Sequence, residues 1–169
     1  MDAAKAIMQS DMVSLQMFVP EEKALKLIGY QNFHPISAMF WDWVTADANS
    51  VCGIALLEKK RIIIPDVEVE FLKDEESLKP FQLSGIRAVQ STPLLSRLGK
   101  IVGMLSTHWS AVHEPSEHDF TLFDVLTRQA ADLIERKQAE EALKKLSIEL
   151  EQKVIERTEE LQKSQERIQ

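Results

Sequence analysis

The stretch "GIRAVQSTPLLSRLGKIVGMLSTHW", Gly85–Trp109, holds two apolar runs joined by a charged turn. Read as a β-hairpin, it places hydroxyls, an amide and a histidine inside strands that otherwise look buried on both faces. Alternate side chains of a strand share a face. On the second arm Met104, Ser106 and His108 therefore point one way, and Leu105, Thr107 and Trp109 the other. On the first arm Val89 and Ser91 share a face, with Ala88, Gln90 and Thr92 opposite.

Upstream of the hairpin the chain mixes short apolar runs with turns. Asp2 to Met8 reads as a short helix, and "DMVSLQMFV" and "ALKLIGY", separated by the turn "PEEK", as a first hairpin. In "PISAMFWDWV" the residues Ile36, Phe40, Trp43 and Val44 fall on one helical face, which predicts a helix over the whole of 35–44. "SVCGIALLEKK" predicts another short helix, and "RIIIP" a short buried strand closed by its proline. "DVEVEFLKDEESLKPFQLSG" reads as a mobile acidic segment with one or two short helices, ending at Gly85. The expected sheet has five or six strands.

From Pro115 onward the texture changes, with no further Gly or Pro. Ser116 followed by Asp119 is a capping-box pattern, so one long helix is expected from Ser116 to Ile168, about 80 Å at about 1.5 Å per residue. Its first part is amphipathic, with Phe120, Phe123, Leu126, Leu133 and Ile134 able to cover a sheet face. Beyond Arg136 only a narrow seam remains: Leu143, Leu146, Leu150, Val154, Leu161 and Ile168. Glu140–Lys144, Glu141–Lys145, Glu149–Lys153 and Glu159–Lys163 are spaced as i,i+4 ion pairs. So little apolar surface needs a partner, and a parallel two-stranded coiled coil is expected.

The chain has 169 residues, a formal net charge of −7 and a single cysteine. Length and apolar content fit one domain plus an appendage. No run approaches the ~20 apolar residues of a membrane helix, and no secretory leader is read at the start. One cysteine excludes a disulfide framework and fits a reducing cytoplasm. The acidic balance argues against nucleic acid as a partner.

The segments "SVCGIALLEKKRIIIPDV", "AVQSTPLLSRLGKIVGMLSTH" and "PSEHDFTLFDVLTRQAADLIERKQAEEAL", in that order, resemble a GAF domain, as found in sensor histidine kinases. The resemblance runs over residues 3–146. "ELEQKVIERTEELQKSQERI" resembles the helical linker that joins such sensors to a following PAS or kinase domain. The resemblance implies an α+β fold: a central antiparallel sheet, terminal helices on one face and a ligand cavity on the other. It also implies a homodimer whose long helices relay a signal. The expected division is a sensory domain over 1–136 and a coiled-coil linker over 137–169.

The Gly85–Trp109 hairpin also resembles that of bilin-binding phytochrome GAF domains, which places Ser91, Ser106 and His108 on the ligand face. Met104 shares that face, and Trp41 and Phe81 are expected to roof the cavity from the helices and the Phe71–Phe81 lid. These six are the candidate ligand-binding residues. The alternative is plain packing: a strand histidine or serine can serve the core or bond a helix end. Gln90, facing the long helix, could bond across a dimer interface. Cys52 packs readily as a small residue, although a helix N-terminus could lower its pKa and make it a redox thiol. Asp66 is expected to cap a helix.

His34, His113 and His118 show no metal-ligand spacing. No phosphate-binding glycine loop, nucleophile elbow or catalytic triad is present. Free methionine sulfoxide reductases, which share the GAF fold, match poorly, and one cysteine cannot supply both nucleophile and resolving thiol. No enzyme activity, metal or cofactor is assigned. The expected partner is an unidentified small molecule. The competing expectations are a ligand-free dimerisation and relay module, or a haem or thiol redox sensor.

Overall fold

The computed structural model describes residues 1–46, 50–71 and 74–166, with side chains as far as Lys163. Ile168 of the expected seam, and Leu72 and Lys73 of the expected lid, lie outside the described residues. The chain divides into two compact units, Met1–Ile134 and Glu135–Gln169.

In the first unit the elements run α1 (Asp2–Met8), β1 (Met12–Val19), β2 (Ala24–Gln31), α2 (Pro35–Phe40), β3 (Trp43–Thr45), α3 (Val51–Glu58), β4 (Ile62–Ile64), α4 (Val67–Glu70), α5 (Glu75–Leu83), β5 (Ala88–Leu95) and β6 (Ile101–Trp109). A last helix, α6 (Glu117–Glu166), begins in this unit. The six strands form one antiparallel sheet in the order β3-β2-β1-β6-β5-β4. The fold is α+β, and the Gly85–Trp109 hairpin supplies two of its interior strands, β5 and β6.

The sheet has an apolar core on each face. α2 to α5 cover one, with Phe33, Trp41, Val51, Ala55, Val67, Phe71 and Phe81 packed on Met12, Val89 and Met104. The terminal helices cover the other, where Ala4, Met8, Phe120, Phe123 and Ala131 pack on Val13, Leu105 and Trp109. Helix α6 starts at a capping box: Ser116 Oγ accepts from the Asp119 amide at 3.3 Å, and Asp119 accepts from the Ser116 amide at 2.9 Å. Gly103 lets β1 lie close against β6, because a Cβ there would lie 2.5 Å from the Gln16 carbonyl oxygen, and it would also meet Ile134 of α6 at 3.4 Å.

Two expectations about helical faces are corrected. The predicted helix over 35–44 stops at Phe40, and Trp43–Thr45 pairs with β2 as an edge strand. The Leu27 amide donates to Asp42 O at 2.8 Å, and Lys26 pairs with Asp42. The ladder therefore outcompetes another helical turn. Val44 is buried, but Ile36, Phe40 and Trp43 are exposed. Likewise Leu133 is exposed. It lies two residues past buried Ala131, about 200° round a helix of 3.6 residues per turn, while Ala130 and Ile134 join the core instead.

In Glu135–Gln169 the helix carries Leu143, Leu146, Leu150, Val154 and Leu161 exposed to solvent. The ion pairs there among the described residues are Arg136–Glu140 at 3.8 Å and Arg157–Glu160 at 3.1 Å. None of the four expected i,i+4 pairs closes to ion-pair distance. Exposed pairs gain little against the rotamer freedom they lose.

Candidate functional site

Strand register builds the site. Ser14 of β1 stands opposite Ser106 of β6, which stands opposite Ser91 of β5, so three hydroxyls form a row across the middle of the sheet. The next row is Met12, His108 and Val89. Both rows face α2 to α5. Ser91 Oγ and Ser106 Oγ share a hydrogen bond at 2.7 Å, and Gln16 Nε2 donates to the Trp41 carbonyl at 3.1 Å.

Aromatic rings roof these rows. Phe33 meets the His108 ring edge-on at 4.8 Å, Trp41 lies 5.0 Å from Phe81, and Phe81 stacks on Phe71 at 5.6 Å. The space left between floor and roof is a cavity of about 10 Å³, room for about one water. Ser14, Gln16, Trp41, Cys52, Phe81, Ser91, Ser106 and His108 line it, and among the described residues no Asp, Glu, Lys or Arg does.

His108 is the most unusual member. It is 4 % exposed, and its Nδ1 has no hydrogen-bond partner among the described residues. Burial pushes its pKa down to about 3, while the backbone of Met12 pulls the other way. The imidazole is therefore neutral across the physiological range, in the row next to the serines.

Cys52 also lines the cavity, at the start of α3, with its Sγ 3.5 Å from the capping hydroxyl of Ser50. The expectation that a helix N-terminus lowers its pKa is corrected: desolvation dominates, and the thiol is pushed up. A protonated, buried thiol is a poor nucleophile.

Of the six predicted residues, Trp41, Phe81, Ser91, Ser106 and His108 meet at the cavity. Met104 is buried in the same core without lining it. The sequence reading missed Ser14 and Gln16, whose signal was their alternation with Val13 and Leu15 in the first strand. Gln90 does lie on the terminal-helix face, but its amide is used inside the sheet. Nε2 donates to Thr107 Oγ1 at 3.0 Å, and Oε1 accepts from Thr92 Oγ1 at 2.6 Å. Asp66 caps α4 by accepting from the Glu68 amide and also pairs with Arg87, whose bond holds its carboxyl below the usual range.

A family model described as GAF domain matches residues 2–135. The chain belongs to the GAF domain family. Solved structures share this GAF fold at low identity. A domain of a putative two-component sensor histidine kinase from Sinorhizobium meliloti is 18% identical, with a TM-score of 0.65 over 83% of this chain and 89% of that one. The GAF domain of a two-component sensor histidine kinase from Bacillus halodurans is 19% identical, with a TM-score of 0.59 over 81% and 89%. A type II free methionine-R-sulfoxide reductase from Thermoplasma acidophilum is 15% identical, with a TM-score of 0.58 over 80% and 94%. No curated protein matches the chain. No helix among the described residues is long and apolar enough to cross a membrane.

Proposed function

We propose that this GAF domain is a non-enzymatic sensory module of a cytoplasmic two-component histidine kinase or related signal transducer. It takes an uncharged small molecule on the Ser91–Ser106–His108 floor. The observation that carries this reading is the buried, unpaired Nδ1 of His108 at an uncharged polar cavity. An unmet hydrogen-bonding group in an apolar setting is costly unless something pairs with it. Among the described residues a charged ligand would find no counter-ion there. Residues 137–169 act as the coiled-coil linker to a PAS or kinase domain, and the exposed seam of Leu143, Leu146, Leu150, Val154 and Leu161 supports a homodimer.

The small cavity favours one second reading, a ligand-free dimerisation and relay module. Differential scanning fluorimetry of the chain against fractionated metabolite pools separates the two. A neutral compound that raises Tm in the wild type but not in His108→Phe supports sensing. Failure of every fraction to shift Tm favours the relay. Native mass spectrometry before and after truncation at Arg136 tests the linker: a dimer that survives the cut moves the interface onto the globular unit. The thiol form of the redox alternative loses its support, because burial raises Cys52 instead of activating it.

A further inference from the structure

A second and much larger concavity, about 800 Å³, lies beside α6 at the β4–β5 edge of the sheet. Among the described residues five cations line it, Lys59, Lys60, Arg61, Arg97 and Arg128, against two carboxylates, Asp124 and Asp132. That leaves the groove at +3 in a chain whose formal charge is −7.

The two carboxylates are already taken. Arg61 pairs with Asp124, donates to Thr92 Oγ1 at 2.8 Å and lies 3.9 Å over the Phe120 ring. Arg97 reaches Asp132 at 3.4 Å. The surplus is Lys59 and Lys60 on one wall and Arg128 on the other. Among the described residues Lys60 pairs with the exposed Glu58, a pair worth little.

The walls are preformed. Lys59 caps α3 in the left-handed region, at φ 54°, where glycine is the low-cost residue. The hairpin rim is fixed by Ser96 N to Lys100 O at 2.8 Å, Gly99 N to Ser96 O at 2.9 Å and Lys100 N to Ser96 Oγ at 3.1 Å. On α6, Asp124, Arg128 and Asp132 recur every fourth residue, one face about 12 Å long at about 1.5 Å per residue.

We infer that this groove docks an acidic, extended segment of a partner polypeptide, with two or three carboxylates spread over about four residues. Positive charge placed on separate walls suits an extended chain better than one compact anion. These few cations sit in a chain of formal charge −7, which suits a short acidic segment better than a long, continuous nucleic-acid backbone. This surface is separate from the cavity of His108 and does not depend on a ligand there.

The test is fluorescence anisotropy with a fluorescein-labelled alternating Glu-Ser decapeptide. Its partners are the wild type, Lys59→Glu/Arg128→Glu, and a control of equal charge change, Lys23→Glu/Lys79→Glu. The expected result is binding that weakens roughly tenfold from low to physiological salt, and roughly tenfold more in the groove variant than in the control. Equal affinity in groove variant and control overturns the inference. Displacement by sodium phosphate beyond that by chloride of equal ionic strength also overturns it, in favour of a small anion. Tighter binding of a single-stranded oligonucleotide than of the peptide does the same, in favour of nucleic acid. If the reversed variant melts early, Lys60→Gln/Arg128→Gln keeps the same readout.

Discussion

Replacing His108 by glutamine should remove a large part of the acid sensitivity of folding. In the native state the imidazole is buried and neutral, with a pKa lowered to about 3. In the unfolded chain it titrates near 6.5. Below that value the unfolded state binds a proton that the native state refuses, so stability falls as pH falls. The slope rises to about 1.4 kcal/mol per pH unit once the unfolded imidazole is fully protonated, which amounts to about 2 kcal/mol between pH 6.5 and 4.5. No carboxylate among the described residues lines the cavity, and Cys52, with its raised pKa, stays neutral throughout that window. Asp66, Asp74 and Asp119, whose native pKa values are all lowered, add a loss of the same sign at lower pH. Comparing the two proteins at the same pH separates these contributions. Urea unfolding of wild type and His108→Gln across this range gives the difference directly. If both lose stability in parallel, the imidazole protonates in the folded protein and the uncharged floor is wrong.

Three further outcomes follow from individual contacts. Gly103→Ala forces a methyl against the Gln16 carbonyl oxygen, 2.5 Å away in the β1–β6 ladder, and should cost about 3 kcal/mol by chemical denaturation. Ser91→Ala leaves Ser106 Oγ buried without its partner, at about 1 to 3 kcal/mol. Ser91→Ala/Ser106→Ala should then lose less than the sum of the two single variants, read as a double-mutant cycle. Cys52 should react with iodoacetamide far more slowly in the folded chain than in denaturant at the same pH, and equal rates would contradict its burial.

Strand alternation made the floor legible. Once β5 and β6 are paired, the faces of Ser91, Ser106 and His108 follow from a period of two, and the terminal helices follow from their apolar stripes. What stayed hidden depends on partners far along the chain. "PISAMFWDWV" satisfies a helical face, and only the edge of β2 makes its last residues a strand. The fate of Gln90 depended on Thr107 and Thr92, the first of them 17 residues away. Cys52 illustrates a contest of magnitudes: the sequence shows a helix start, which favours thiolate, but not the burial that overrides it. The basic groove was also hidden, since Lys59, Arg97 and Arg128 come from three separate elements.

For the proposed sensing role, the small size of the cavity sets the terms. A guest larger than a water must spread the floor from the roof, and it shifts the equilibrium only by its preference for the spread state. Tenfold preference is about 1.4 kcal/mol. Gln90 and Thr92 flank Ser91 along β5 but sit on the opposite face, as Thr107 does beside Ser106. From Thr92 the hydrogen bonds continue through Arg61 to Asp124 on α6. A twist of β5 against β6 at the serine pair therefore pulls on α6 without any contact between guest and helix. Thr92→Val keeps the shape and removes the hydroxyl, leaving the cavity lining intact. Spin labels on α1 and at an exposed α6 position such as Leu122 report the helix response. For any compound that raises Tm, the variant should retain binding and lose the helix shift. A shift of wild-type size in Thr92→Val would show that the helix is moved by some other route.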